Sequence, residues 1–381
     1  MLLLVSAIAF VVLLTGLVLI HEWGHYITAK LSGVTVEEFG FGLPPRAKTL
    51  FTRKGTIFSL NWIPFGGFVR LKGENDGMRK APGSFGAAPL WKRCCVLLAG
   101  VFMNLVLAIA LFTVGFTWGQ WVPTYLSDRD ILAASDRGDI TATLAVAVTG
   151  TRPDGTARRA GVMTGSLLTA IDGQPVRLPD DVRDLQAGKS RVRYTLLTGS
   201  GFVKTSTVNV AVKDGLTGVE IKTVVRDLSV PDRGLSDGIR LALREVKVVT
   251  VQTIIGLKEL VSSLIWHVRV PEGVTGIIGI AELTYVSVQQ GFMVYLRLVA
   301  LLSLSLAVLN VLPFPALDGG RLVLVLLESA LSSRVVQSVP VLRRVVHSFV
   351  TFEQMANAMG FLLLLIVILF VSVYDVIRLV A

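Results

Sequence analysis

The chain of 381 residues is 52% hydrophobic and 17% charged, which places it well on the apolar side of soluble proteins. This composition excludes an ordinary soluble enzyme and indicates an integral membrane protein, with enough length for one soluble domain of about 100 residues. The net charge is +10. Because the basic residues are dispersed among loops that flank apolar segments, we expect the lipid bilayer as a partner and no nucleic acid.

The apolar segments predict a polytopic α-helical membrane protein with four transmembrane helices, a membrane-associated β-hairpin region and one inserted α+β domain. The predicted parts are a first transmembrane helix at 1–30, a cytoplasmic or re-entrant β-rich segment at 31–93, a second transmembrane helix at 94–117, a soluble domain at 118–235, an interfacial amphipathic helix and linker at 236–295, a broken third transmembrane helix at 296–328, a cytoplasmic connection at 329–356 and a fourth transmembrane helix at 357–381.

The first apolar segment ends in the pattern His21-Glu22-Trp23-Gly24-His25. If the helix continues through this pattern, His21 and His25 lie one turn apart on the same face, where two imidazoles can bind one zinc ion. Glu22 then lies beside the metal, where a carboxylate can take a proton from a zinc-bound water. The alternative is a merely polar end of a membrane anchor, but ionisable groups at membrane depth are costly and usually functional.

The predicted third transmembrane helix is broken by prolines and by the pair Gly319-Gly320, which follows Asp318. Irregular backbone at membrane depth is tolerated only where protein or water satisfies it, so the break indicates a site. A catalytic zinc has three protein ligands. The two histidines supply two of them, and Asp318 is the best candidate for the third. The alternative role of Asp318 is to cap the helix that follows.

The orientation follows from the positive-inside rule. Residues 31–93 contain many lysines and arginines and few acidic residues, so we expect them in the cytoplasm. A crossing at 235–267 would invert the third helix and place Asp318 at the membrane face opposite the histidines, so that charged segment is predicted to lie at the interface. With four crossings, the histidines and Asp318 reach similar depths near the cytoplasmic side.

Residues 56–70 alternate and are rich in Ile, Phe and Trp, which predicts a strand followed by a turn or bulge at Gly66-Gly67. Beside an intramembrane site, the edge of such a strand can pair through its main chain with an extended substrate segment. The residues expected to contact substrate there are Ile57, Phe58, Leu60, Gly66, Gly67 and Phe68. The alternative is a small interfacial sheet that covers the base of the helices.

The combined motifs resemble those of the site-2 proteases, which are intramembrane zinc metalloproteases. The resemblance spans nearly the whole chain and includes HEWGH at 21–25, FGFG at 39–42, FGGFV at 65–69, LAG at 98–100 with Asn104, the stretch 160–176 and NVLPFPALDGG at 310–320. The order of parts, with one soluble domain between the second and third helices, is most similar to the bacterial branch that performs regulated intramembrane proteolysis.

The resemblance implies that His21, His25 and Asp318 bind zinc and that Glu22 is the catalytic base. Asn310 matches an asparagine near the family's active site, which implies substrate contact or assistance at the oxyanion; an interhelical hydrogen bond is the alternative. The resemblance also implies that the soluble domain is PDZ-like. Whether that domain binds peptides or filters substrates by size stays open.

The implied function is a zinc-dependent endopeptidase that cleaves transmembrane segments of single-pass membrane proteins, for example anti-sigma factors, after another protease has trimmed them. The implied location is the inner (plasma) membrane, with the PDZ-like domain extracytoplasmic and the active site near the cytoplasmic side. Two rival functions are a zinc-binding membrane transporter or sensor, which would not need Glu22, and a PDZ-like membrane scaffold without hydrolysis, against which the complete set of site residues argues.

Overall fold

A computed structural model describes residues 2–74, 79, 81–199, 204–267, 269–271, 273–331 and 340–380, without the side chains of 340–351 and 380. The chain forms two compact units, one of residues 1–119 and 234–381 and the other of residues 120–233. The elements are α1 (Leu2–Ser32), β1 (Val36–Arg53), β2 (Thr56–Leu71), α2 (Leu90–Thr117), α3 (Asp128–Asp136), β3 (Thr141–Thr151), α4 (Thr156–Arg159), β4 (Leu167–Ile171), β5 (Gln174–Pro175), α5 (Pro179–Gln186), β6 (Arg191–Thr198), β7 (Lys204–Ala211), β8 (Val219–Ser229), α6 (Leu235–Trp266), α7 (Ile277–Gln290), α8 (Phe292–Val311), α9 (Asp318–Leu331) and α10 (Pro340–Val380).

Within the described part of the chain, five helices are long and apolar enough to cross a bilayer: α1, α2, α6, α8 and the Phe352–Leu379 part of α10. The predicted count of four is not confirmed, because α6, which was assigned to the interface, also has this length and composition. The predicted third transmembrane helix consists of two helices, α8 and α9, separated by residues 312–317. The backbone break therefore falls directly before Asp318.

Strands β1 and β2 form a sheet in which each strand bends and pairs twice. The first half of β1 lies between the two halves of β2, so that Phe39 pairs with both Phe58 and Val69. The second half of β1 pairs with the other side of the strand that contains Phe58. The predicted bend in β2 is confirmed at Gly66, whose φ of 77° is a conformation that glycine adopts without strain. Residues 67–71 consequently form an edge of the sheet.

A buried apolar cluster attaches this sheet to the helices. Its members come from α1, β1, β2, α2 and α9 and from the loops beside them: Ala29, Val34, Val36, Leu71, Phe85, Val96, Leu97 and Val325. Burial of such side chains contributes about 1.5–3 kcal/mol for each large one. The cluster therefore fixes the end of β2 against the part of α1 that follows the histidine motif.

The second unit is an α+β unit with a six-stranded antiparallel sheet in the order β7-β6-β4-β3-β8, with β5 paired to β4. Asp172 and Gly173 join β4 to β5 with φ values of 51° and 81°, the two-residue turn that an Asp-Gly pair favours. The likeness of this unit to a PDZ domain stays a prediction.

Tyr194 lies at the centre of the second unit and is fully buried. Its hydroxyl accepts a hydrogen bond from Gln186 Nε2 at 2.5 Å and lies 2.9 Å from Thr217 Oγ1. Burial raises the pKa of Tyr194 to about 12, so the hydroxyl stays neutral and can donate to Thr217.

Tyr194→Phe is expected to lower the stability of the second unit by about 1–3 kcal/mol, because it leaves the buried Gln186 amide without its acceptor. Hydrogen exchange of amides in residues 120–233 of the full-length protein in detergent measures the loss. Tyr285→Phe, at an exposed position of α7, is the matched control and should leave that exchange unchanged. Equal protection in the Tyr194→Phe protein would contradict the expectation.

Candidate metal centre and active site

Helix α1 continues through the histidine motif, as the sequence predicts, and ends at Ser32. His21 and His25 are 6% and 8% exposed, and Glu22 is half-buried. The spacing of four residues places both imidazoles on the face of α1 that packs into the protein. The polar end of α1 is therefore an internal site rather than a solvated helix terminus.

Asp318 is the first residue of α9. A Cβ at Gly319 would collide with backbone carbonyls at the end of α8, and one at Gly320 would collide with the carbonyl of Phe314. Only glycine therefore allows α9 to start so close to the end of α8. This close turn is what positions the Asp318 carboxylate beside α1.

Three side-chain atoms converge at this point. Asp318 Oδ2 lies 2.9 Å from His21 Nε2 and 3.3 Å from His25 Nε2, and the two Nε2 atoms are 3.1 Å apart. Ligand atoms of a tetrahedral zinc site lie about 2.0–2.1 Å from the metal and hence about 3.3 Å from one another. The spacing of the three atoms fits one zinc ion with a fourth position left for water or substrate.

The hydrogen bonding of these groups also fits a cation. Asp318 Oδ2 is buried and accepts no hydrogen bond from the described residues. His25 Nδ1 lies 2.7 Å from the carbonyl oxygen of Val96, to which it can donate, so Nε2 is free to bind a metal. Two neutral imidazoles and one carboxylate are a ligand set that zinc accepts. Among the described residues, His21, His25 and Asp318 are the cluster of three side chains that could hold a metal ion.

A cavity of about 310 Å³ opens beside the convergent atoms. It is lined by Glu22, His25, Phe68, Val69, Arg70, Leu71, Glu74, Val96, Leu97, Asp318 and Arg321. Glu22 shares this cavity with two of the proposed ligands but does not belong to the group of convergent atoms. A general base needs this arrangement, in which the carboxylate is close to the metal without being a ligand.

The structure separates the predicted substrate-contact residues into two groups. Gly67 and Phe68 lie on the edge of the sheet just after the bend at Gly66, and Phe68 lines the cavity. Ile57, Phe58 and Leu60 lie in an inner strand that is paired on both sides. Their main chain cannot pair with a substrate, so this part of the edge prediction is corrected: the sequence pattern identified a strand but not its neighbours.

Asn310 lies one residue before the end of α8, half-buried and outside the set of residues that line the cavity. The described residues include no hydrogen-bond partner for its side chain, and its predicted substrate contact stays a prediction.

Sequence reasoning missed the pair Glu74 and Arg321. Arg321 Nη1 lies 2.5 Å from Glu74 Oε1, and both residues line the cavity wall. A second cavity of about 480 Å³ also has this ion pair in its lining. The position of Arg321 in the sequence could have indicated its place in the site. It lies one helical turn after Asp318, and residues three apart share a helix face.

Known proteins resemble this chain over nearly its whole length. The family model for peptidase family M50 matches residues 9–367. A protein of Clostridium perfringens (strain 13 / Type A), named as a candidate zinc metalloprotease, is 29% identical over 367 residues, which cover 95% of this chain and 96% of that protein.

Two further relatives have the same kind of name. The protein of Fusobacterium nucleatum subsp. nucleatum is 28% identical over 370 residues, covering 96% of this chain and 97% of its own length. The protein of Rhizobium meliloti (strain 1021) is 28% identical over 346 residues, covering 84% and 86%. The predicted likeness to site-2 proteases and the predictions of a metalloendopeptidase and of zinc are confirmed. The chain belongs to peptidase family M50.

Proposed function

We propose that this multi-pass membrane protein is a zinc-dependent intramembrane endopeptidase that cleaves transmembrane segments of single-pass membrane proteins. The observation that carries the proposal is the convergence of His21 Nε2, His25 Nε2 and Asp318 Oδ2 within 3.3 Å, next to a cavity that also contains Glu22. A transporter or sensor has no need of a carboxylate at the position of Glu22.

Zinc, when bound by the two histidines and Asp318, would lower the pKa of a water molecule and polarise the scissile carbonyl. Glu22 takes the proton of the attacking water on its carboxylate and then gives that proton to the leaving amide nitrogen. The half-buried position of Glu22 in the cavity keeps the carboxylate within a partly desolvated site, where such a proton transfer is efficient.

The free edge at residues 67–71 is the proposed pairing site for the substrate. A transmembrane helix hides its carbonyl groups in its own hydrogen bonds, so it has to unwind before it can be cut. The unwound segment can add to this edge by main-chain hydrogen bonds, which replace those lost from the helix. Phe68, Val69 and Leu71 line the cavity beside Glu22, so a segment paired there would lie near the base.

A substrate whose transmembrane helix contains a Gly-Pro pair should be cut about ten- to a hundredfold faster than a matched all-Leu helix. The reason is that the pair destabilises the helix by about 3–4 kcal/mol, part of which no longer has to be supplied by the enzyme. Cleavage rates of the two substrates in detergent measure the difference, and a substrate with the Gly-Pro pair in its soluble part is the control. Equal rates for the first two would contradict the proposed unwinding step.

The orientation of the chain is also proposed. The basic segment 31–93 lies on the cytoplasmic side of a bacterial inner membrane, and residues 120–233 are extracytoplasmic. There they would act as a PDZ-like filter or peptide-binding unit for substrates that another protease has already trimmed. The proposed process is regulated intramembrane proteolysis, for example of anti-sigma factors.

A further inference from the structure

One face of α2 contacts the proposed zinc ligands at three positions spaced by four residues. The carbonyl oxygen of Val96 lies 2.7 Å from His25 Nδ1. At Gly100 a Cβ would approach His25 Nε2 to 2.5 Å and His21 Nε2 to 2.7 Å, so only glycine leaves room for both rings. One turn later, Asn104 is fully buried with its amide 3.4 Å from His21 Nδ1.

The hydrogen-bonding needs of His21 and Asn104 match. A neutral imidazole that binds zinc through Nε2 has its ring proton on Nδ1, which then requires an acceptor. Asn104 Oδ1 is a buried acceptor without a hydrogen-bond partner among the described residues. With its carboxamide turned so that Oδ1 faces His21 Nδ1, Asn104 supplies that acceptor, and Oδ1 gains a hydrogen-bond partner.

We infer that Asn104 is a positioning residue that holds His21 in the tautomer and ring orientation needed to bind zinc through Nε2. The inference rests on the proposed function of the metal site. The Val96 carbonyl performs the equivalent role for His25, so a single helix face orients both histidines. Outer partners of this kind usually contribute a factor of about 10–100 to metal affinity.

The backbone of Asn104 has a separate structural role. Ser303 Oγ, on α8, donates to the Asn104 carbonyl oxygen at 2.8 Å, and Ser303 is also fully buried. This bond joins α2 to α8 and does not involve the Asn104 side chain. Ser303→Ala therefore disturbs the same helix contact without touching the bond to His21, which makes it a matched control.

The test is the zinc dissociation constant of the full-length protein in detergent, measured by competition with a chromophoric chelator. Asn104→Leu, similar in shape but without an acceptor, should weaken zinc binding about 10- to 100-fold. Asn104→Asp, which keeps an oxygen acceptor, should bind within a few-fold of the natural protein. The visible absorption of the Co²⁺-loaded protein should change for Asn104→Leu and stay near the natural spectrum for Asn104→Asp.

Ser303→Ala should lower the melting temperature but keep the zinc dissociation constant. The inference is overturned if Asn104→Leu binds zinc as tightly as the natural protein with the same Co²⁺ spectrum, or if Ser303→Ala weakens zinc binding as much as Asn104→Leu does. If Asn104→Leu does not fold, Asn104→Ala replaces it with the same expectation. A natural protein that binds zinc in this Asn104-dependent manner but cuts no substrate would refute the proposed function and leave the role of Asn104 intact.

Discussion

Glu22→Gln is expected to reduce the rate of peptide-bond cleavage by a factor of about 10²–10⁴ while leaving about one zinc ion bound per chain. Glutamine has nearly the shape of glutamate but cannot accept the proton of the attacking water. The three convergent atoms belong to His21, His25 and Asp318, so the substitution leaves the ligand set complete. The measurements are zinc content by elemental analysis and cleavage of a single-pass substrate with a destabilised helix.

Glu259→Gln is the matched control for Glu22→Gln, because it also replaces a carboxylate on an apolar helix by an amide. Glu259 is exposed on α6 and is not among the residues that line the cavity, so that variant should cut at the natural rate. If Glu22→Gln retained most of the cleavage activity, Glu22 would not be the base. If the natural protein held zinc but cut none of several destabilised substrates, the transporter or sensor function would be favoured.

The metal site was predictable because its sequence pattern determines its geometry almost directly. A helix with histidines four residues apart places both rings on one face, whatever the rest of the chain does. Asp318 follows a break that apolar surroundings tolerate only at a site, and Gly319 and Gly320 permit the tight approach of α8 and α9. Each of these inferences depends on a local constraint of the backbone.

The number of spans was less predictable because it depends on contacts between distant residues. The charges of 235–267 favoured an interfacial helix, yet Glu245 is buried on α6 and lies 3.6 Å from Arg297 Nη2 on α8. The prediction also assumed that one more crossing would invert the next helix. Helix α7 follows α6 and precedes α8 in the sequence. The chain can therefore reverse its direction across the membrane within α7 before α8 begins.

The substrate edge and the supports of the histidines were not predictable for a similar reason. Alternation identifies residues 57–60 as a strand, but whether a strand is internal depends on pairing with a segment about 20 residues away. Val96 looks like an ordinary residue of an apolar helix, and the motif that contains Gly100 does not reveal its contact with the histidines until α2 packs against α1. Sequence patterns identify the ligands, while tertiary packing determines which residues orient them.

Asp318→Asn is expected to weaken zinc binding by more than about a hundredfold and to abolish cleavage with it. The carboxylate is the only anionic group among the three convergent ligands in the described part of the chain, so the neutral amide removes the charge that balances the metal. Since loss of an outer partner of a ligand already costs about 10–100-fold in metal affinity, loss of the ligand itself should cost more. Chelator competition in detergent measures the zinc dissociation constant.

A second buried aspartate distinguishes the loss of a ligand from general damage to the fold. Asp375, on α10, is 4% exposed and accepts hydrogen bonds from the backbone amides of Gly276 at 2.8 Å and Gly279 at 2.9 Å, at the start of α7. Asp375→Asn should lower the melting temperature, because it weakens these charge-assisted bonds, but it should leave the zinc affinity unchanged. Tight zinc binding by Asp318→Asn would assign Asp318 to helix capping instead, and equal loss of zinc in both variants would attribute the effect to the fold.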